Sequence, residues 1–411
     1  MRESVHDADR ELASAAFFAD PYPLLHRLRA EEPVYWSDVL SSWMLTRYDD
    51  VVSTLRDPRL LSSAGRMTAL LDQLPDGMRE NVRLLDRHYA ATLPFQNPPE
   101  HTRMRALVNK AFSPRVIESM RSQIQEIADQ LLDVVQQDRS MDIIHDFAFP
   151  LPVALISAMV GVPLEHRDQL KAWTNQIFRI FSSGRARPET AENGMRSLIE
   201  IREYLSELIA QRRKQPQEDL ISYLVAVEEQ GDSLTSEQVL ANTVTFFVAG
   251  HETTTNMIGN AMLALLQNTD QLHKLRNDPS LIVPAVEELL RYDGSLLRNW
   301  RVAAEDLEIS GRKIRKGQIV SQMLGAANRD PAQFPDPDRL DIVRRDNTHV
   351  GFGYGIHFCI GAPLARLEIR IAINSLLNRF PAIKLGREVP EWREDYTFRG
   401  MKSLPVVIRP E

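Results

Sequence analysis

The chain has 411 residues, of which 43% are hydrophobic and 26% charged, as in an ordinary globular protein. Its formal net charge of −7 argues against nucleic-acid binding, and its single cysteine excludes an intrachain disulfide and suits a reducing compartment. We find no apolar run of membrane-spanning length and no signal-peptide core at the N-terminus, so we expect a cytoplasmic protein without a membrane anchor.

The predicted elements are mostly helices. In chain order, a short helix at 21–30 precedes a hairpin of two strands at 34–36 and 43–46. Apolar residues at helical spacing then predict helices at 101–112, 114–138, 142–160, 164–181, 190–214, 219–229 and 235–267. Strands follow at 302–309, 312–314 and 319–324, and a last helix covers 362–380.

This pattern predicts one mainly α-helical domain with small β-sheets over residues 1–411. No repeat, low-complexity tract or Gly/Ser linker marks a second domain. Residues 1–20 are expected to form a mobile N-terminal segment.

The only cysteine, Cys359, stands in an unusual setting. It follows closely spaced glycines in the run GFGYGIHFCIG at 351–361, and glycine allows tight backbone bends and the close approach of a flat ligand. The predicted helix at 362–380 begins just after it, so the positive end of the helix dipole and backbone N–H donors favour a thiolate. A lone cysteine can also be a small buried hydrophobe, and that alternative stays open on these grounds alone.

A second polar motif, TFFVAGHETTT at 245–255, lies inside the long predicted helix. Four-residue spacing places Ala249 and Thr253 on one face, with Phe246 and Gly250 beside them. Three consecutive threonines are poor for a helix interior, because their hydroxyls compete for backbone carbonyls and can open or bend the helix. Taken alone, the run is equally compatible with a helix interior that tolerates polar residues.

The cysteine run resembles the haem-binding signature of the cytochromes P450. The matching residues are Phe352, Gly353, Gly355, His357, Cys359 and Gly361. The resemblance implies the P450 fold, with haem b between a long distal helix and the helix after the cysteine. It also implies that Cys359 is the axial iron ligand and that its thiolate favours O–O cleavage.

The helix motif Ala249-Gly250-x-Glu252-Thr253 is similar to the oxygen-activation motif of the same family. By this resemblance Thr253 hydrogen-bonds the dioxygen and Glu252 feeds protons from solvent. His251, between them, is interpreted as structural or solvent-facing.

Four residues match the family's contacts to the haem propionates, which need cations and hydrogen-bond donors. They are His101, Arg105, Arg301 and His357. Asn97 stands where relatives usually carry Asp, and we expect it to cap the approach to the following helix as Asp would.

Glu288-x-x-Arg291 resembles the family's ExxR motif, whose side chains meet at i,i+3 spacing. In the family this pair is buried and joined by a third basic group from the loop near the cysteine. Arg339 matches that position, so the resemblance implies a structural triad of Glu288, Arg291 and Arg339.

The substrate pocket is less defined. By resemblance, Phe246, Leu296, Leu297 and Met401 are candidates to line it, although core packing explains their apolar character equally well. Arg298 either anchors a substrate carboxylate or, as we favour, faces the rim or solvent.

The resemblance implies a monomeric haem-thiolate monooxygenase that inserts one atom of O₂ into a C–H bond, by hydroxylation or epoxidation. The substrate classes are polyketides or macrolides, fatty acids, terpenoids and steroids. Electrons are expected from a ferredoxin and its reductase, because one cysteine cannot hold a four-cysteine cluster. The basic residues expected to steer an acidic ferredoxin are Arg103, Lys110, Arg366 and Arg370, unless they form a merely solvated face. The alternatives are a haem-thiolate peroxygenase and a non-catalytic haem carrier or sensor.

Overall fold

The computed structural model describes residues 8–62, 83–182, 188–228, 234–387 and 390–409. It is built mainly of α-helices. Their bounds are Ala15–Ala19, Tyr22–Glu31, Tyr48–Arg56, Arg83–Ala90, Glu100–Val108, Pro114–Ser119, Arg121–Val135, Pro150–Val160, Arg167–Ser182, Pro188–Lys214, Leu220–Glu228, Ser236–Gln267, Thr269–Asn277, Ile282–Asp293, Leu324–Asn328 and Ala362–Arg379.

The strands are short. They are β1 (Val34–Ser37), β2 (Ser42–Leu45), β3 (Leu60–Leu61), β4 (Ser140–Asp142), β5 (Asn299–Ala303), β6 (Leu307–Ile309), β7 (Arg312–Ile314), β8 (Ile319–Gln322), β9 (Lys384–Leu385), β10 (Glu391–Trp392), β11 (Met401–Ser403) and β12 (Pro405–Val407). The largest sheet has the order β1-β2-β8-β5-β3, with β2 and β8 parallel. A three-stranded sheet has the order β4-β12-β9, and β6-β7 and β10-β11 form two-stranded sheets.

The chain forms two compact units, and each is made of separate stretches of sequence. The first unit contains Met1–Leu60, Met120–Leu151 and Thr253–Glu411. The second contains Leu61–Ser119 and Pro152–Glu252. The long helix Ser236–Gln267 therefore contributes its N-terminal half to the second unit and its C-terminal half to the first.

Two consecutive residues of β2 belong to the two apolar clusters of the first unit. Leu45 packs into a cluster with Phe334, whereas Met44 packs into another with Phe17. Because successive side chains of a strand point to opposite faces, both faces of the sheet are covered. Residues 8–20 contribute to the second cluster, so this part of the segment expected to be mobile is packed, and residues 1–7 lie outside the described ranges.

Most predicted helices are confirmed to within a few residues, because long amphipathic periods are a strong local signal. The prediction at 114–138 is wrong in one respect, since two helices meet at Met120. Six helices were missed, namely Ala15–Ala19, Tyr48–Arg56, Arg83–Ala90, Thr269–Asn277, Ile282–Asp293 and Leu324–Asn328. The helix does not open at the threonine run, since Ser236–Gln267 is a continuous α-helix.

One helical stretch corrects the expectation that no apolar run could span a bilayer. Ile143–Val160 has 18 residues and a mean hydropathy of 1.8, which meets that requirement by length and composition. However, 67% of the stretch is buried inside the protein. Burial of this kind is typical of a core helix, so the stretch is weak evidence for a membrane span.

Candidate haem-thiolate site

Cys359 lies near the C-terminal end of a tightly closed loop, residues 351–361, which we call the cysteine loop. The backbone N–H of Cys359 donates to the carbonyl of Phe352 at 3.0 Å, after a single 3₁₀ turn. Gly353 and Gly355 have φ angles of +72° and +73°, a region that glycine enters without steric cost. The loop thus depends on glycine at both positions.

The loop delivers Cys359 to the N-terminus of a long helix. Ala362–Arg379 has 18 residues and is capped by Gly361, two residues after the cysteine. Cys359 is exposed rather than packed in the apolar core, so the interpretation as an inert buried hydrophobe does not hold. A thiolate at this position benefits from the positive end of the helix dipole.

The residues around the loop fit a haem. A Cβ at Gly353 would meet no atom within 4 Å, so the glycine leaves room for a flat group. Arg301 on β5 is only 3% exposed, and no carboxylate of the described residues lies within 4.0 Å of its guanidinium. Burial lowers the pKa of Arg301 to about 10, so it still carries its charge at neutral pH. A buried cation without an acidic partner suits a propionate.

A cluster of charged residues contacts the cysteine loop through the ring of Phe352. Glu287 accepts two hydrogen bonds of 2.7 Å from Arg366 and lies 3.2 Å from His349. The guanidinium of Arg366 also stacks on the ring of Phe352, 4.6 Å from its centroid. Burial raises the pKa of Glu287, but the hydrogen bonds from His349 and Arg366 outweigh that effect and lower it to about 2. No sequence motif indicated this group of Glu287, His349 and Arg366, which we call the Glu287 clamp.

The Glu287 clamp makes a prediction about acid stability. The pKa of Glu287 is depressed in the folded state, so its contribution is complete above the ordinary value of 4.5 and is lost as the pH falls toward about 2. We therefore expect Glu287→Gln to lower the melting temperature near neutral pH, and the gap from wild type to narrow in acid. Thermal unfolding across pH measures this gap. Glu308→Gln, at an exposed strand position, controls for the loss of one charge, and a pH-independent gap for Glu287→Gln would contradict the account.

The predicted pair Glu288 and Arg291 lies in the interior of the first unit. Arg291 donates to Glu288 through Nε at 2.7 Å and Nη2 at 2.8 Å, and both side chains are 0% exposed. The third basic group is Arg344, whose Nε lies 3.1 Å from Glu288 Oε2. Arg339, which the sequence analysis assigned to this place, is exposed.

The backbone explains this correction. The carbonyl oxygen of Arg339 accepts hydrogen bonds of 3.3 Å from both Arg291 and Arg344. The main chain of Arg339 therefore faces the cations, and its side chain points to solvent. Pro337 adds a further carbonyl to Arg291 at 2.8 Å, so the triad fixes the loop that precedes the cysteine loop.

In the second unit, the long helix carries the motif residues where it packs closely against Ile156. A Cβ at Gly250 would lie 3.0 Å from Ile156 Cδ1, so a larger residue would force Ile156 to move. Glu252 and His251 are 2% and 1% exposed. His251 is therefore not solvent-facing, which corrects one of its two interpretations. Thr253, at the start of the first unit's share of the helix, is half-buried.

The helix Glu100–Val108 carries the two other predicted propionate contacts. His101 is buried and Arg105 half-buried, one helical turn apart. Asn97 does not cap this helix as expected. Its Oδ1 accepts from the backbone N–H of Ser62 at 3.0 Å instead, while its main-chain carbonyl accepts from the N–H of His101 at 2.9 Å.

The predicted pocket residues all have packing partners within their own unit. The ring of Phe246 packs edge-on against Phe112, with centroids 5.6 Å apart. Leu296 forms an isolated antiparallel β-bridge with Phe398. Leu297 lies in the apolar cluster that contains the N-terminal helices. Met401 is 0% exposed. Their assignment to a substrate pocket stays a prediction.

Arg298 is buried, with 5% of its surface exposed, so our preferred interpretation that it faces the rim or solvent is wrong. Its Nη2 lies 3.2 Å from Thr397 Oγ1. Burial lowers the pKa of Arg298 to about 10, while Asp395 acts in the opposite direction. The other interpretation, that Arg298 anchors a substrate carboxylate, stays a hypothesis.

Most residues expected to steer a ferredoxin are paired with acids. Arg366 and Arg370 lie 2.7 Å and 3.8 Å from Glu287, and Arg103 lies 2.6 Å from Glu100. Lys110 is exposed. Glu100 offsets the charge of Arg103, whereas Arg366 and Arg370 share the one negative charge of Glu287, so these cations together attract an acidic protein less than unpaired ones would.

Comparisons with known proteins identify the family. A family model described as Cytochrome P450 matches residues 72–398. Cytochrome P450 107B1 of Saccharopolyspora erythraea is 42% identical over 400 residues, covering 95% of this chain and 96% of that protein. The polyketide biosynthesis cytochrome P450 PksS of Bacillus subtilis is 39% identical over 403 residues, with 95% and 96% covered.

Solved structures agree with the fold described above. The crystal structure of P450BioI in complex with hexadec-9Z-enoic acid ligated acyl carrier protein matches with a TM-score of 0.88 and 40% identity. The match covers 96% of this chain and 100% of that one, which confirms the mainly helical fold with small sheets. The chain therefore belongs to the cytochrome P450 family, whose bacterial monooxygenases it resembles along nearly its whole length.

Proposed function

We propose that this protein is a haem-thiolate monooxygenase that inserts one atom of O₂ into a C–H bond of an apolar organic substrate, by hydroxylation or epoxidation. The observation that carries the proposal is the position of the one thiol. Cys359 is exposed at the end of a glycine-dependent loop, directly before a helix N-terminus. The family model includes residues of both units, which supports one catalytic domain.

The proposed cofactor is haem b, which when bound supplies the activation of O₂ and the transfer of one oxygen atom. Cys359 would hold its iron, and Arg301 and His357 would pair with its propionates. By the same family resemblance, His101 and Arg105 would pair with the propionates too. Charge-assisted hydrogen bonds of this kind are strong and directional, so these residues orient the haem as well as retain it.

Small and flat residues would make room for the ring. Gly353, Gly361 and Phe352 belong to the cysteine loop, and Ala249 and Gly250 belong to the long helix.

Glu252 and Thr253 are the proposed proton-handling residues. The Thr253 hydroxyl would hydrogen-bond the dioxygen substrate and pass a proton toward it. Glu252 would restore that proton, because a carboxyl within reach of a hydroxyl can act as a general acid and base. The presence of this acid–alcohol pair favours the monooxygenase over a peroxygenase or a haem carrier, neither of which needs proton delivery.

The substrate class is proposed from relatives. PksS is named for polyketide biosynthesis, and P450BioI was solved with a fatty acid on its acyl carrier protein. We propose a polyketide, macrolide or fatty acid first, and a terpenoid or steroid second. Electrons would come from a separate ferredoxin and reductase, and we place the monomeric enzyme in the cytoplasm.

The test is turnover with labelled oxygen. Protein supplied with a ferredoxin, its reductase, NADPH and a panel of these compounds should show a substrate-induced spectral change with at least one of them. The product should contain one oxygen atom from labelled O₂. Activity with hydrogen peroxide, together with none from O₂ and the ferredoxin system, would establish the peroxygenase. No spectral change and no NADPH-coupled turnover with any compound would favour the carrier or sensor.

A further inference from the structure

His251 and Glu252 form a buried pair in the second unit. They are consecutive on the long helix, and their side chains are each 2% exposed. His251 Nδ1 lies 2.9 Å from the carbonyl oxygen of Phe247, one turn earlier. A carbonyl only accepts hydrogen bonds, so Nδ1 carries a hydrogen atom. In a neutral imidazole, Nε2 then bears the lone pair.

A carboxyl group and a hydroxyl group lie near the lone pair of Nε2. Glu252 Oε2 lies 4.0 Å from Nε2, and Thr174 Oγ1 lies 3.5 Å from it. Thr174 is fully buried on the neighbouring helix Arg167–Ser182. The carboxyl is at ion-pair distance, and catalytic contacts that are this long without substrate commonly tighten to about 2.6–3.2 Å in the reacting complex.

Burial constrains the charge of this pair. An isolated ionised carboxylate in the interior is costly, and so is an isolated imidazolium. One shared proton avoids both, because the pair is then either a neutral acid beside a neutral ring or a carboxylate beside an imidazolium. The two forms have the same net charge.

We infer that His251 is the proton-exchanging partner of Glu252. When the Nε2–H bond of the imidazolium breaks, an O–H bond forms on Glu252, and Nε2 recovers its lone pair; no electron leaves the pair. This role rests on the proposed function of Glu252. His251 is a positioning residue, since it sets the place and charge of the carboxyl and touches neither substrate nor cofactor in the proposed scheme.

A purely structural role is the competing explanation, because the hydrogen bond to Phe247 alone could justify a buried histidine. Two substitutions separate the roles. His251→Phe keeps a ring of similar size and removes both nitrogen atoms. His251→Gln keeps a hydrogen-bonding group but cannot take up a proton.

We expect both variants to bind haem and substrate as wild type does. Product formed per NADPH consumed should fall on the order of tenfold, less than the loss of roughly 10²-fold or more expected when a general acid itself is removed. The pH profile of coupled turnover should change from two titrating steps to one, because a coupled pair titrates in two macroscopic steps.

Thr243→Val is the matched control on the same helix. Thr243 is fully buried, and its hydroxyl donates to the carbonyl of Val239 at 2.8 Å, within the helix itself. This variant should keep wild-type coupling. Glu252→Gln should lose coupling, and adding His251→Phe to it should cause no further loss, since the two residues act as one unit.

Wild-type coupling and an unchanged pH profile in His251→Phe or in His251→Gln would overturn the inference. Full rescue by glutamine alone would do so too, since it would assign the role to hydrogen bonding. Failure of the proposed function is distinguishable, because wild type would then form no product and Thr253→Ala would not divert electrons to peroxide or water.

Discussion

Replacing Glu288 by alanine is expected to destabilise the protein by about 3–5 kcal/mol, the usual cost of removing one partner from a buried ion pair. Glu288 is 0% exposed, and it accepts hydrogen bonds from Arg291, Arg344 and Asn347 and from the backbone N–H of Asp341. Its loss would leave two buried cations without a carboxylate. A typical domain is stable by about 5–15 kcal/mol, so the effect is a large fraction of the total.

The two arginines of the following loop provide a matched comparison. Arg344→Ala removes a cation whose side chain is 10% exposed and 3.1 Å from Glu288. Arg339→Ala removes an exposed side chain whose backbone carbonyl, which the triad uses, remains in place. We expect a clear loss for Arg344→Ala and a change within about 0.5 kcal/mol for Arg339→Ala.

Denaturant unfolding of the three variants beside wild type measures these differences. The expected order of stability is wild type and Arg339→Ala together, then Arg344→Ala, then Glu288→Ala. A loss for Arg339→Ala equal to that for Arg344→Ala would contradict the assignment of the third cation.

Local spacing made one part of this triad predictable. Glu288 and Arg291 are three residues apart on a helix, so their contact follows from helical geometry alone. The third cation comes from an irregular loop, where no period relates sequence to direction. Which arginine faces the pair there depends on how the carbonyl of Arg339 is turned, and that is settled by tertiary contacts.

Exposure was the other property that the sequence did not reveal. A solvent-facing position was one of two interpretations for His251 and the preferred kind of position for Arg298, and both residues are buried. Burial of a polar side chain depends on partners from distant segments, such as Thr174 for His251 and Thr397 for Arg298. Spacing within one element contains no information about them. The motif at 351–361 was predictable because glycine and cysteine are constrained by local backbone geometry.

Cys359→Ser should have the largest effect on chemistry. Serine is close in size and keeps the loop, whose closure depends on the backbone of Cys359 and Phe352 rather than on the thiol. A hydroxyl is a much weaker acid than a thiol and does not supply a thiolate. We therefore expect folded protein with little change in stability, no monooxygenase turnover and weakened haem retention.

The chain offers no second cysteine that could replace Cys359 as a ligand. This makes the interpretation of the variant direct. A matched stability measurement on Cys359→Ser and wild type, made without haem, separates loss of the ligand from loss of the fold.

The most direct measurement is the absorption spectrum of the reduced protein with carbon monoxide, recorded for wild type and Cys359→Ser. The account predicts the spectrum of a thiolate-ligated haem for wild type and its complete absence in the variant. A thiolate spectrum that survives in Cys359→Ser, or one that wild type never shows, would contradict the assignment of Cys359 as the haem ligand.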